Sequence, residues 1–174
     1  MIKNIKDLGP ISRIVTDGFF AANTNFITYQ LEKLTTFFSL ESTFVSCNFP
    51  SSLQSMIVCC AQKTGVIVAY AELDNRNFTK QAPSYPNFPY MYNLAVDKKH
   101  QRKGIAKALI SFCEGRCIQM WGEDTLFLKV KKSNQVALEL YQGLGYEIIS
   151  SEVGNSKVSN NKGEVLYILK KELN

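Results

Sequence analysis

The run Tyr92-Asn-Leu-Ala-Val-Asp-Lys-Lys-His-Gln-Arg-Lys-Gly-Ile-Ala-Lys107 carries the densest chemistry in the chain. An apolar stretch ends near Val96, and a basic loop leads to Gly104 at the opening of a helix. Helix N-termini expose unpaired N–H groups and the positive end of a dipole, so this junction suits an anion. Gly104 lets main chain approach that anion closely, and Ala106 keeps the first turn small. Lys98, Lys99, Arg102, Lys103 and Lys107 add positive potential around it. The loop has neither GxxxxGK(S/T) nor GxGxxG, which sets aside a P-loop and a dinucleotide fold. Taken alone, these residues also fit a solvated basic turn before an ordinary helix.

Further on, Asn134 and Tyr141 lie seven residues apart on the next helix. Two turns place them on one face, ~10.5 Å apart along the axis, where an amide and a phenol would grip an extended ligand at two points. A capping Asn and a core Tyr would account for the same pair.

The elements that must position these groups follow from periodicity. Pro10 suits the first position of a helix carrying Ile11, Ile14, Val15 and Phe19, and a second helix is expected over roughly 25–40. Ser55–Asp74 reads as a hairpin turning at Lys63-Thr64-Gly65, and 75–89, with three of the five prolines, reads as a long loop. Then come a strand at Tyr90–Val96, a helix near 104–120, a strand at Thr125–Lys131 and a helix at Asn134–Leu144. Strands at Tyr146–Ser151 and Glu164–Leu169, joined by a polar loop over 154–162, complete the order β-α-α-β-β-β-α-β-α-β-β. This is an α/β (α+β) pattern within a single domain over 1–174.

Composition narrows the classes. With 45% hydrophobic and 20% charged residues, a chain of 174 can bury a full core without staples. Its net charge of +5 suits an anionic partner and is too small to indicate nucleic acid. No apolar run approaches the ~18 residues of a membrane span, and the start MIKNIKDLGP has no apolar signal core. Five cysteines lack zinc spacing, with Cys113 and Cys117 placed as core residues, so no metal is expected and a reducing cytoplasm is the setting.

NLAVDKKHQRKGIAKALISFCE and LFLKVKKSNQVALELYQGLGYEI together resemble the two linked motifs of the GCN5-related N-acetyltransferase superfamily. The first matches its Q/R-x-x-G-x-G/A pyrophosphate loop at Gln101, Arg102, Gly104 and Ala106. The second matches its N-x-x-A-x-x-L-Y-x-x-x-G-Y/F helix at Asn134, Ala137, Leu140, Tyr141, Gly145 and Tyr146. The resemblance implies a mixed, mostly antiparallel sheet whose central parallel strands, here Tyr90–Val96 and Thr125–Lys131, splay apart around acetyl-CoA. It implies that the main chain of Leu94, Ala95 and Val96 pairs with the pantetheine and that the N–H groups of Arg102, Lys103, Gly104, Ile105, Ala106 and Lys107 receive the pyrophosphate. Asn134 would bond the pantetheine, and Tyr141 would protonate the departing thiolate as general acid.

NLAVD and SNxxALxLY are similar to bacterial ribosomal-protein N-terminal acetyltransferases, and YNLAV with WGEDTLFLKV is similar to the plastid-type branch. The first group carries a Glu proton acceptor where this chain has Lys129, so that role does not carry over. Tyr90, matching a Tyr of some eukaryotic N-terminal acetyltransferases, and Glu72 are the remaining candidates for base or acceptor contact. The single histidine, His100, stands where the family has a packing residue. The expected reaction is acetyl transfer to a primary amine, with a protein or peptide N-terminus favoured, in a monomer or homodimer. The alternatives are a non-catalytic acyl-CoA sensor and an arylalkylamine or lysine acetyltransferase.

Overall fold

The computed structural model describes residues 5–19, seven positions between 30 and 40, and residues 53–60, 64–75, 89–153 and 164–174. A 3-10 turn at Ile5–Asp7 runs into helix α1 (Leu8–Phe19). Leu8, Ile11, Ile14 and Val15 form its buried stripe. The helix starts two residues before Pro10, which is tolerated because first-turn N–H groups have no partner to lose. The leading strand of the expected order has no counterpart among the described residues. The seven positions between 30 and 40 are helical, and Ser12 Oγ donates to Lys33 O there at 2.7 Å. The loop expected over 75–89 falls mostly on 76–88, and the polar loop expected over 154–162 falls on 154–163; both stretches lie outside the described residues, as does the hairpin tip at 61–63.

Strands β1 (Gln54–Cys60), β2 (Ile67–Asp74), β3 (Tyr90–Val96), β4 (Thr125–Lys131), β5 (Glu147–Val153) and β6 (Val165–Glu172) form one sheet in the order β1-β2-β3-β4-β6-β5. Helix α2 (Ile105–Trp121) precedes β4, and α3 (Gln135–Gln142) follows it. On one face of the sheet α2 and α3 bury Leu109, Ile110, Cys113, Cys117, Leu138 and Tyr141 against Leu126, Leu128 and Val130. On the other, α1 packs against Met56, Ile67, Tyr70 and Ala95. Burying each large aliphatic side chain contributes about 1.5–3 kcal/mol, and the two apolar layers hold the sheet between them.

All neighbouring strands are antiparallel except β3 and β4. That parallel pair is joined only at Tyr90↔Phe127 and Met91↔Leu128. Beyond Met91 each strand stays with its outer neighbour: β4 pairs with β6 along its whole length, and β3 returns to β2 at Tyr70↔Ala95. A bulge bends β3 between Tyr92 and Ala95, where Asn93 takes φ 52. The sheet therefore opens along its middle, as the expected splay requires. No helix among the described residues is long and apolar enough to cross a membrane.

Candidate active site in the split sheet

The opening between β3 and β4 is a cleft of about 850 Å³. It gathers Tyr90, Leu94, Ala95, Val96, Arg102, Gly104, Ile105, Ala106, Lys107, Asn134 and Tyr141 from the sequence-predicted set. Lys103 and Glu72 are not on its wall. Lys103 Nζ turns back to Lys99 O at 3.0 Å, leaving only its main chain beside the loop. Glu72 is 1% exposed behind β3.

At one end lies the turn from β3 into α2. Asp97 caps a 3-10 turn at Lys98–His100, accepting from Lys99 N at 3.0 Å, and its carboxylate also meets the His100 ring at 3.3 Å and Arg13 Nη2 at 3.2 Å. Burial would raise that carboxyl, but the Lys99 N–H, His100 and Arg13 outweigh it and hold the group below its ordinary value. Asp97 N donates to Val68 O at 2.8 Å, so the loop is tied to β2. Arg102 and Gly104 then take φ 61 and φ 78, two left-handed residues that turn the chain into α2. Successive N–H groups in such a turn converge on an anion. Ala108 N closes the first helical bond onto Gly104 O, so the N–H groups before it have no helical partner. A Cβ at Gly104 would meet nothing within 4 Å, which places this backbone against open space.

Along the middle, Asn93 and Leu94 fall in the bulge, without a register partner in either neighbouring strand, and both line the cleft. Asn134 stands on the opposite wall. Its Oδ1 caps α3 by accepting from Ala137 N at 3.2 Å, which leaves its Nδ2 free to donate. The two sequence readings of Asn134 are thus compatible: the amide oxygen caps, and the residue also lines the cleft. Val136, 66% exposed, adds apolar surface to that wall.

At the far end the Tyr141 phenol is 7% exposed, and burial, with the nearby Cys113, pushes its pKa up to about 12. Tyr146 packs edge-on against it, with ring centroids 5.8 Å apart. Tyr146 is itself fixed by a 3.0 Å bond to Glu114, which also accepts from Lys171 at 2.9 Å. Gly145, at φ 88, reverses the chain so that Tyr146 can take that place. The Tyr90 phenol is buried with no partner among the described residues, and burial first, then Tyr141, raises its pKa. Lys129 lines the cleft and pairs with Glu152 at 2.6 Å.

Several residues of the wall escaped sequence reasoning, Tyr92, Asn93 and Gly18 among them. Tyr92 and Asn93 sit inside a strand whose pattern gives no sign of a bulge. Gly18 lies within α1, where a Cβ would stand 3.5 Å from the Ala95 Cβ, an ordinary van der Waals contact, so the helix passes close to β3 without requiring glycine there.

Chain comparisons agree with this geometry. The alanine N-acetyltransferase of ribosomal protein bS18 from Escherichia coli K12 is 38% identical over 56 residues, covering 32% of this chain and 37% of the relative. The chloroplastic GCN5-related N-acetyltransferase 10 of Arabidopsis thaliana is 27% identical over 88 residues, covering 51% of this chain and 34% of the relative. The matches thus span little more than a third of those relatives' length. In structure, the ribosomal-protein-S18-alanine N-acetyltransferase of Escherichia coli superposes with a TM-score of 0.67 at 20% identity, covering 99% of this chain and 92% of that one. The yncA protein of Salmonella typhimurium, solved with acetyl-CoA, gives 0.66 at 14% identity, covering 100% and 92%. At such identities the structural likeness is one of fold. The family model for the acetyltransferase (GNAT) family matches residues 26–146, which take in β3, the basic turn, α2, β4 and α3. With the split between β3 and β4, the basic turn and the buried phenol all inside that span, the chain belongs to the acetyltransferase (GNAT) family.

Proposed function

We propose that the protein is an acetyl-CoA-dependent N-acetyltransferase acting on a primary amine. The observation that carries this reading is one continuous cleft with unpaired N–H groups at one end, the bulged main chain of β3 in the middle and a buried phenol at the other. An anion as large as a pyrophosphate suits the Arg102–Lys107 turn, and an extended amide-bearing arm suits the unpartnered edge of β3. In the reaction, the amine nitrogen adds to the thioester carbonyl carbon, and the C–S bond breaks as the tetrahedral species collapses. Tyr141 gives its proton to the sulfur, and the proton shed by nitrogen returns through water to the phenol. A phenol at about 12 remains protonated at neutral pH, which a proton donor requires. The thiolate forms in the same apolar surroundings, which raise its own proton affinity.

The Asn134 amide gives a test of the pantetheine contact that separates binding from folding. Asn134→Ala removes both cap and donor, so it should lower stability by about 1 kcal/mol and weaken coenzyme A. Asn134→Asp keeps a capping oxygen, loses the N–H donor and adds a negative charge; it should retain parental thermal stability and still bind coenzyme A at least several-fold less tightly. Parental affinity in Asn134→Asp would assign Asn134 to capping alone.

A protein or peptide α-amine is the favoured acceptor in this reading. An α-amine of pKa ~8 is about one tenth neutral at pH 7, whereas a lysine of ~10.4 is neutral in fewer than one molecule per thousand. Lys129 offers no carboxylate to offset that difference, and Tyr90, held protonated by burial, is no stronger than a group that orients a water. In a competition assay at pH 7, a peptide with a free N-terminus should be acetylated well ahead of the same peptide N-blocked with one internal lysine. Preference for the lysine overturns the acceptor assignment, and coenzyme A binding without turnover on any amine identifies an acyl-CoA sensor instead. The cytoplasmic setting belongs to the same proposal.

A further inference from the structure

Glu72 sits on β2 in register with Tyr92 and opposite Met56, sealed from solvent at 1% exposure. A carboxylate in such a place is costly unless its oxygens are hydrogen-bonded. Asn93 Nδ2 donates to Glu72 Oε1 at 2.7 Å, and the Tyr92 phenol is hydrogen-bonded to the same carboxylate. Both partners come from the bulge of β3, and both line the cleft that Glu72 itself does not. Asn93 is also the residue with φ 52, left-handed backbone that Asn tolerates better than other non-glycine residues and that a tertiary contact can enforce. A short bond from an amide to a buried carboxylate is such an enforcement.

The peptide unit between Asn93 and Leu94 is oriented by the backbone angles of Asn93, and that unit carries the Leu94 N–H. Neither residue has a register partner in a neighbouring strand, and the side-chain bond to Glu72 restrains that plane. We propose that Glu72 is a positioning residue: it clamps Asn93 in the left-handed bulge and so sets where the Leu94 main chain meets the acyl carbonyl. This rests on the acyl-CoA reading of the cleft and gives Glu72 a task other than proton abstraction.

The test compares two changes at Glu72 with one at Asn93. Glu72→Gln keeps an oxygen that accepts from Asn93 and removes the charge, so kcat and its pH profile should stay within about threefold of the parent. Glu72→Ala and Asn93→Ala both break the clamp and should lower kcat about 10–100-fold, the cost of a misplaced reacting group. Their affinity for coenzyme A should stay parental. Their preference for a dethia analogue of acetyl-CoA, with methylene in place of sulfur, over coenzyme A should be lost. The Glu72→Ala/Asn93→Ala pair should be no slower than either single change. If Glu72→Ala does not fold, Glu72→Gln and Asn93→Ala still decide. A Glu72→Gln enzyme that loses activity together with the acidic limb of its pH profile makes Glu72 a base and overturns the clamp. Parental kcat in Asn93→Ala overturns it as well. Failure of the parent itself to bind coenzyme A would instead defeat the acyl-CoA reading on which the clamp depends.

Discussion

Gly104→Glu should yield a folded protein that no longer binds coenzyme A. The position opens α2 at φ 78, and a Cβ there meets nothing within 4 Å. The fold therefore has room for a side chain, and the penalty is the left-handed backbone, about 1–2 kcal/mol for an L-residue, which a domain of ordinary stability survives. Ligand binding has no such margin. The added carboxylate enters the space into which the first-turn N–H groups point, and it replaces their attraction for a pyrophosphate by repulsion between like charges. Loss of roughly two hydrogen bonds to a charged group, about 1.5–3 kcal/mol each, already lowers affinity more than a hundredfold before repulsion is added. Gly104→Ala is the companion variant, with the same backbone penalty and no charge. Its melting temperature should match that of Gly104→Glu, and it should retain weakened but measurable binding. Titration calorimetry on the folded variants decides, and unchanged affinity in Gly104→Glu would mean that the turn at Arg102–Lys107 does not hold the phosphates.

The middle of the chain is legible because local and tertiary demands agree there. Tyr90–Val96 and Thr125–Lys131 have the expected bounds, with Leu126, Leu128 and Val130 alternating into the core. Asn134 marks the start of α3 as a capping residue should, and the helix ends at Gln142, ahead of the Leu144 that its apolar spacing suggests, with Gly145 at φ 88 turning the chain into β5. Strand β6 runs on to Glu172, past the expected end at Leu169, because β4 supplies partners as far as Thr125↔Glu172. Polar residues such as Lys170 and Lys171 become strand through that pairing and not through propensity. The bulge is the feature that no pattern discloses. YMYNLAV reads as an unbroken strand, and only the tolerance of Asn for left-handed backbone is visible beforehand. Glu72 shows the same limit. Alternation in β2 places it on the face shared with Tyr70 and Asp74, but what shields it from the cleft is decided by β3, across the sheet.

Tyr141→Phe should lower kcat by about 10²–10⁴-fold while acetyl-CoA binds as before, the range expected for removing a general acid. The variant is clean because the ring is held by packing. Its edge-on contact with Tyr146 at 5.8 Å and its burial against Cys113 and Leu138 do not need the hydroxyl. Phe therefore keeps the shape of the cleft and deletes one proton. The pH dependence follows from the phenol near 12: the donor form is fully populated through neutral pH and is lost only as pH rises through that value. The parent should thus show no alkaline fall from this group below about pH 11, and its rising limb should follow the amine, which must shed a proton before it attacks. In Tyr141→Phe the same rising limb should persist at a uniformly lower rate, since acceptor ionisation is untouched. A solvent isotope effect that shrinks in the variant would place the proton transfer to sulfur in the parent's slow step. A variant as fast as the parent would assign that proton to water, and the buried phenol would then serve packing alone.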